Sequence, residues 1–496
     1  MSHNRKVLIT FALLLSNAMA GLDGTIINTA LPAIVSDLHG IQYMGWIVAI
    51  FLLGMAVATP LWSKFGEKKG NKRAYIVTTS IFALGALLQG MAPNITWFII
   101  ARGIMGIGAG GMSTIPFIIY AHLFTNLKRR AQVIGITSAS FSTASIVGPL
   151  FGGWIVDTFS WHWVFYVNLP LAFISIAIVA FFFKGSRELN QHPVDYQGAV
   201  LMVLGLVAIL VGIQLLGTAS IWATIAFIAV GFLLLFRMHG VENHVTDPIV
   251  PNRLFQNSKL VIDLVIFAVL WGAFVAFNIY APMWAQGIMG FSALVGGMTQ
   301  IPGSIANFIG SELAPMSQPK LGRYGVLAVG TVTFLVTFVG MGLAGQHASY
   351  AFLLVMGAFN GFGIGVCFTT LQVAVQSDVA TTDVPIATSF AYLVRILSQT
   401  FMSSIYGVIL SQALAAGVRE NHGTITMGML NKLTNSQTVG NLPADLLPKM
   451  RTILFAGMHN IMMTALVLVL VIVVLITVLL RRQHGRAMSR LTAQHN

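Results

Sequence analysis

Five ionisable residues fall inside long apolar stretches: Asp23, Arg102, Asp263, Glu312 and Arg395. At bilayer depth such a group costs at least about 2.5–3.5 kcal/mol on insertion scales, so each one needs a reason. Asp23 has no charge within a helical turn of it and lies beside Gly21 and Gly24. Its type suits a protonatable or cation-binding carboxylate; the competing role is capping a helix broken at those glycines. Arg102 is expected at similar depth. Burial favours the neutral acid and a nearby guanidinium favours the carboxylate, so a movement that varies their separation would change proton affinity. The bland alternative is a static ion pair.

The other three are secondary. Asp263 lies four residues from Lys259, a spacing that pairs charges on one helix face. Glu312 stands near the end of its stretch, where a solvated cap is the plain reading. Asp263 and Glu312 are therefore kept as secondary acid candidates. Arg395 has no acid at evident equal depth and either bonds helix carbonyls or lines a cavity. No H-E-x-x-H, nucleophile elbow, Walker loop or dense acid–His cluster is present. The single cysteine, Cys367, excludes an intramolecular disulfide and a cysteine-cluster metal site. The expectation is a chain that is not an enzyme and holds no cofactor or metal.

The elements that position these residues follow from composition. Of 496 residues, 56% are apolar and only 8% charged, against roughly 25% charged in an average soluble domain. Mean hydropathy is +0.83, so lipid must solvate the chain. A hydrocarbon core of about 30 Å needs roughly 20 helical residues. Segments of that size are expected near 7–32, 42–63, 74–93, 95–121, 131–156, 161–183, 197–217 and 220–237. Six more are expected near 260–285, 291–313, 324–344, 349–376, 386–415 and 454–480. The predicted fold class is an all-α polytopic membrane protein with fourteen transmembrane helices.

Charge placement tests that count. With both termini inside, 21 of the 27 Lys and Arg fall in inner segments, among them Lys64, Lys68, Lys69, Lys72, Arg73, Lys128, Arg129 and Arg130. Arg102 and Arg395 lie inside spans. Arg419, Lys432, Lys449 and Arg451 share one long outer loop, and the short outer loops have none. The positive-inside rule turns the formal charge of +13 into a topology signal, so a nucleic-acid partner is not expected. Polar linkers at 184–196 and 238–259 divide the chain into a six-helix bundle (1–183), an inserted helix pair (184–259) and a second six-helix bundle (260–481). A basic tail, 482–496, follows. Basic loops at 63–73 and 315–323 recur after the second helix of each bundle, a faint internal repeat of the kind duplicated transporters carry.

Glycines cluster where helices must approach closely: Gly103, Gly106, Gly108, Gly110 and Gly111 in span 4, Gly148, Gly152 and Gly153 in span 5, and Gly357, Gly361, Gly363 and Gly365 in span 12. Pro149 removes a helical donor and favours a bend. The order of these motifs resembles the major facilitator superfamily, and within it the drug:proton antiporter family with fourteen spans. Span 1 carries Leu22, Asp23, Thr25, Asn28, Ala30, Leu31 and Pro32 at that family's spacing, and Trp46 of span 2 also fits. The loop at 61–73 resembles the superfamily's loop signature through Glu67, Gly70, Lys72 and Arg73. Span 5 resembles the antiporter motif through Gly135, Gly148, Pro149, Gly152 and Gly153.

The resemblance implies export of lipophilic, often cationic compounds in exchange for protons, from the cell membrane, by alternating access. A dedicated proton-coupled exporter of a single metabolite or antibiotic is the alternative. It implies an inner gate at Glu67, Gly70, Lys72 and Arg73, and a span 5 that packs Gly148, Pro149, Gly152 and Gly153 against the facing bundle. Asn28, Trp46, Tyr280, Gln286 and Arg395 are candidates for the substrate cavity; aromatics such as Tyr280 suit core or lipid contact equally well. Partners are small lipophilic substrates, protons and lipid, with the proton gradient in place of a cofactor or an ATPase. Two departures from the family pattern matter. Asn71 stands where the loop signature has a basic residue, so the usual gate bridge cannot form through it, and Ala144 replaces a glycine of the antiporter motif.

Overall fold

The computed structural model describes residues 3–124, 126–185, 196–216, 220–242, 256–380 and 384–495. The linkers 186–195 and 243–255, where much of the inserted pair's boundary was placed, lie outside the described residues. Among the described residues the chain is all helix. The first half runs α1 (His3–Asp37), α2 (Met44–Lys69), α3 (Asn71–Gly90), α4 (Ile95–Met112), α5 (Ile115–Leu123), α6 (Leu127–Thr158), α7 (His162–Tyr166) and α8 (Asn168–Phe182). Next come α9 (Tyr196–Gln214) and α10 (Ile221–Glu242), then α11 (Ser258–Met283), a π-helical turn (Trp284–Ile288), α12 (Ala293–Met298), α13 (Ile301–Leu343) and α14 (Tyr350–Ser377). The last are α15 (Val384–Glu420), α16 (Met427–Leu433), α17 (Ser436–Val439) and α18 (Leu447–His495).

Eleven helices among the described residues are long and apolar enough to cross a membrane. Two expected spans are not among them. α3 falls short because it buries Asn71, Thr78, Thr79 and Gln89; in α6 several side chains before Ile146 lie outside the described residues, and Ile146–Thr158 is its described apolar stretch. Two others fuse: α13 covers 43 residues, roughly 64 Å at 1.5 Å per residue, twice the hydrocarbon thickness. It turns at Gly322, whose φ of 68° and ψ of 170° suit glycine almost alone. α10 carries Trp222, Phe232, Leu233 and Phe236 exposed, the pattern of a helix solvated by lipid rather than water.

Packing gathers the chain into two units: Met1–Asn252 with Pro282–Met298 and Ser403–Leu454, and Arg253–Ala281 with Thr299–Met402 and Phe455–Asn496. In the first, α4 is the close-packed element. A Cβ on Gly106 would meet the Phe51 carbonyl of α2 and one on Gly108 the Phe82 backbone of α3. α1 is held by Asn17, whose Nδ2 donates to the Thr137 carbonyl of α6 at 2.9 Å, and by its Ala12 carbonyl, which accepts from Ser175 Oγ of α8 at 2.9 Å. In the second unit, α13 and α14 meet backbone to backbone at Gly303 and Gly361.

Candidate functional site

α1 runs unbroken from His3 to Asp37, so the alternative that Asp23 caps a helix broken at Gly21 and Gly24 is corrected. Asp23 is wholly buried and Arg102 of α4 is 1% exposed. A single guanidinium nitrogen, Arg102 Nη1, donates to both carboxylate oxygens, at 3.1 and 3.0 Å. The guanidinium lies 4.1 Å from the centroid of Phe51, a cation–π contact, and its Nε has no hydrogen-bond partner among the described residues. Among the described residues the acid thus pairs with Arg102 alone, and one donor of that guanidinium is left over. Such a pair is held only while α1 and α4 keep their spacing.

The span-5 glycines pack on α1 beside that pair. A Cβ on Gly148 would overlap Thr25 Oγ1, two residues beyond Asp23, and one on Gly152 would overlap the Ile26 side chain. Of the four motif residues, Gly148 and Gly152 thus pack on α1, which corrects the expected facing for those two. The neighbouring positions make the other contact: Gly153 lies on the Leu294 backbone, and the Pro149 carbonyl on Gly297 of α12. The physical reason is helical phase, since successive residues point about 100° apart. α6 is a two-sided spacer between α1 and α12. Gly135 lies on α6, but its surroundings fall outside what is described.

One turn past Gly153, Asp157 accepts from the backbone N–H groups of Ala293 at 3.0 Å and Leu294 at 2.8 Å. Asp157 is the first residue beyond the span expected near 131–156, and its spacing of four from Gly153 is the signal the sequence carries for it. Nearby, Gln286 Nε2 donates to the Thr29 carbonyl at 3.1 Å, Thr434 Oγ1 to the Pro32 carbonyl at 3.0 Å, and the Ile41 N–H to Asn431 Oδ1 at 2.9 Å. The segment 427–439, expected as part of an outer loop, is therefore folded onto α1. Within the first unit these contacts tie α1 and α6 to the segments 286–294 and 431–434.

The expected inner gate has no loop. α2 ends at Lys69 and α3 begins at Asn71, joined through Gly70 with φ 92°, a left-handed turn that glycine permits. Lys72 Nζ donates to the Ala180 carbonyl in the last turn of α8 at 2.6 Å, where a cation meets free helix carbonyls. Glu67 is half-buried and 3.9 Å from Lys64, and Arg73 is exposed. The four residues stand together in sequence but form no mutual ion pair among the described contacts. Asn71 is buried, tucked against Gly66.

In the second unit, Asp263 pairs with Arg323 rather than with Lys259, which corrects the i,i+4 expectation. Arg323 Nη1 also donates to Asp378 Oδ2 at 2.7 Å. The left-handed backbone at Gly322 turns the chain there, and sequence distance hid the pairing. Glu312 is exposed on α13. Arg395 sits over the rings of Tyr392 at 4.5 Å and Trp271 at 5.0 Å. Of the cavity candidates, Asn28, Gln286 and Tyr280 are buried, and Trp46 is half-buried on α2.

With this geometry in view, the family model of the Major Facilitator Superfamily matches residues 13–403. A multidrug transporter protein, MdtP, of Bacillus subtilis (strain 168) is 28% identical, the match covering 94% of this chain and 91% of that protein. Multidrug resistance protein 3 of the same organism is 28% identical over 81% of this chain and 79% of its own length. An efflux pump, roqT, of Penicillium rubens is 27% identical over 89% and 84%. Among solved structures, a bacterial homologue of the human lysosomal transporter Spinster, inward-facing and unoccupied, superposes with a TM-score of 0.66 at 14% identity, covering 96% of this chain and 97% of that one. A D-xylose–proton symporter gives 0.57 at 15% identity, over 87% and 96%; these likenesses concern the fold. The multi-pass helical chain with the Asp23–Arg102 pair at its first unit's centre belongs to the Major Facilitator Superfamily.

Proposed function

We propose that the chain is a fourteen-span exporter of lipophilic, often cationic small molecules in exchange for protons, working by alternating access from the cell membrane with both termini in the cytoplasm. The single observation that carries the reading is the buried Asp23–Arg102 pair. An uncompensated charge at that depth is costly, so if α1 and α4 separate, the acid must take a proton or the base a new acceptor. That requirement couples helix movement to proton transfer. The names of the relatives, multidrug transporter and efflux pump, support the substrate class. The helix positions and the break at Gly322 support fourteen spans, grouped as two six-helix bundles and an inserted pair. The proton gradient serves as the energy source, without a cofactor.

Proteoliposomes loaded with tetraphenylphosphonium and a pH-sensitive dye test this directly. An imposed proton gradient is expected to drive efflux of the cation with alkalinisation of the proton-rich side. Asp23→Asn is expected to abolish both. Unchanged proton–cation exchange in that variant would remove Asp23 from the coupling role.

A further inference from the structure

Arg102 keeps a hydrogen-bond donor that Asp23 does not use, and a residue one sulfur atom away keeps an unused acceptor. α3 and α4 are pressed together where a Cβ on Gly85 would overlap the Met105 backbone. That approach lays the side chain of Gln89, one turn beyond Gly85, against Met105. Gln89 Nε2 donates to the Gly85 carbonyl at 3.2 Å and lies 2.8 Å from Met105 Sδ. The same sulfur lies 3.9 Å from Arg102 Nη1. Gln89 and Met105 are both wholly buried. A carbonyl can only accept, so the Gly85 contact fixes which end of the amide faces it. Gln89 Oε1 is the other end, and it has no hydrogen-bond partner among the described residues.

A buried acceptor is costly to leave unmade, and a leucine in its place would remove that cost. The free oxygen stands near a cation whose acid, Asp23, must take up a proton in the cycle proposed above. Once protonated, Asp23 is neutral, the site carries the single charge of Arg102, and the carboxyl's hold on the guanidinium weakens. A buried cation in that state needs another acceptor. Gln89 Oε1 supplies one without competing for the proton, because an amide does not titrate. Met105, which touches both, is unbranched and polarisable and gives way at low cost.

We propose that Gln89 is a positioning residue for proton coupling: Arg102 donates to Asp23 while the acid is ionised, and to Gln89 Oε1 once it is protonated. Its place in a transport cycle rests on the export reading; the change of acceptor rests on the geometry of α3 and α4.

Thermal unfolding of the purified full chain in detergent reads that change without any gradient. Asp23→Asn mimics the protonated acid. In that background Gln89→Glu gives the guanidinium a charged acceptor, and it is expected to recover more than half of the melting temperature that Asp23→Asn loses. In the wild-type background, where Arg102 is already paired, Gln89→Glu is expected to lower the melting temperature. Gln89→Leu is expected to do the reverse: to lower it in the Asp23→Asn background and to leave it level or raise it in the wild type. A shift of the same sign and size in both backgrounds overturns the proposal. If Gln89→Leu aggregates, Gln89→Glu decides by the same criterion. In proteoliposomes Gln89→Leu is expected to slow proton–tetraphenylphosphonium exchange about tenfold, the loss of one hydrogen bond to a charged group. The half-saturating cation concentration should not change. Exchange at the wild-type rate also overturns the proposal. A wild-type chain that exchanges no protons, with melting shifts that still depend on Asp23, keeps the Gln89 contact and loses only the export reading.

Discussion

Asp23 and Arg102 set one acid against one base, both almost wholly buried. Asp263, Arg323 and Asp378 set two acids about one base, with Arg323 18% and Asp378 16% exposed. The first cluster sums to zero and the second to minus one. Removing an acid therefore unbalances the first and balances the second. The backbone around them differs as well. The first is bordered by Gly148 and Gly152, where two helices touch and a small change of spacing has somewhere to go. The second is anchored by a chain reversal at Gly322. On the function proposed above, the partners of the first cluster part during the cycle and those of the second stay together.

The largest effect expected from this contrast is at Asp23. Breaking a buried pair by removing one partner costs about 3–5 kcal/mol in water-soluble proteins, because the remaining charge is left alone. Asp23→Asn should lower the melting temperature in detergent and eliminate proton-coupled exchange. Asp23→Asn with Arg102→Gln should recover most of the melting temperature while exchange stays absent, a non-additivity read from a double-mutant cycle. If the two losses simply add, the pair is not what holds α1 to α4.

Asp263→Asn is the mirror experiment. Arg323 keeps Asp378 at 2.7 Å, and the cluster becomes neutral. The melting temperature should stay level or rise, and proton-coupled exchange should remain within about twofold of the wild-type rate, since no unpaired charge is created. A loss of exchange as deep as that of Asp23→Asn would mean that both clusters carry protons and would erase the distinction drawn here.

What could be read from the chain tracks the cost of being wrong in lipid. Asp23 and Arg102 stood out because a charge in an apolar run is expensive, and equal depth alone made them partners. Asp263 was matched to Lys259 because a helix makes i+4 neighbours visible, whereas Arg323 lies sixty positions away and is brought in by one glycine dihedral. Gly148 and Gly152 were recognisable as a motif, but which helix each one touches depends on the rotation of α6 about its axis, which no spacing within α6 reveals. Gln89 passed unnoticed because an uncharged amide among glycines has no signature until its neighbours' hydrogen bonds are counted. Segment 427–439 was expected as loop, and its short helices are ordered by contacts with α1 that lie some four hundred residues back.

Gly148→Val examines the spacing itself. The added carbons would meet Thr25 Oγ1 beside Asp23, and overpacking costs typically about 1–3 kcal/mol. Paid in only one conformation, that cost shifts the population about five- to hundredfold. Exchange should fall accordingly while the protein elutes as a single species. Gly152→Val meets Ile26 Cγ1 near its branch point, with the Ile26 carbonyl also close, and Ile26 is fully buried, so its effect should be comparable. Wild-type exchange in both variants would show that the Asp23 pair parts without any movement of α1 against α6.

The smallest effect is expected at Asp157, an acid that faces backbone rather than a base. Its two oxygens accept from Ala293 and Leu294, and charge-assisted bonds of this kind contribute more than neutral ones. Asparagine keeps one acceptor oxygen and turns an N–H towards the other donor, so Asp157→Asn should cost about 1–2 kcal/mol of this contact. Because the contact joins α6 to α12 and not α1 to α4, the coupling ratio of protons to cation should not change. The rate should: a conformation held by this contact is populated less, by about five- to thirtyfold. A changed proton ratio in Asp157→Asn would mean that this third acid titrates during the cycle, and that balance of charge, not looseness of packing, is what distinguishes the cluster at Asp23.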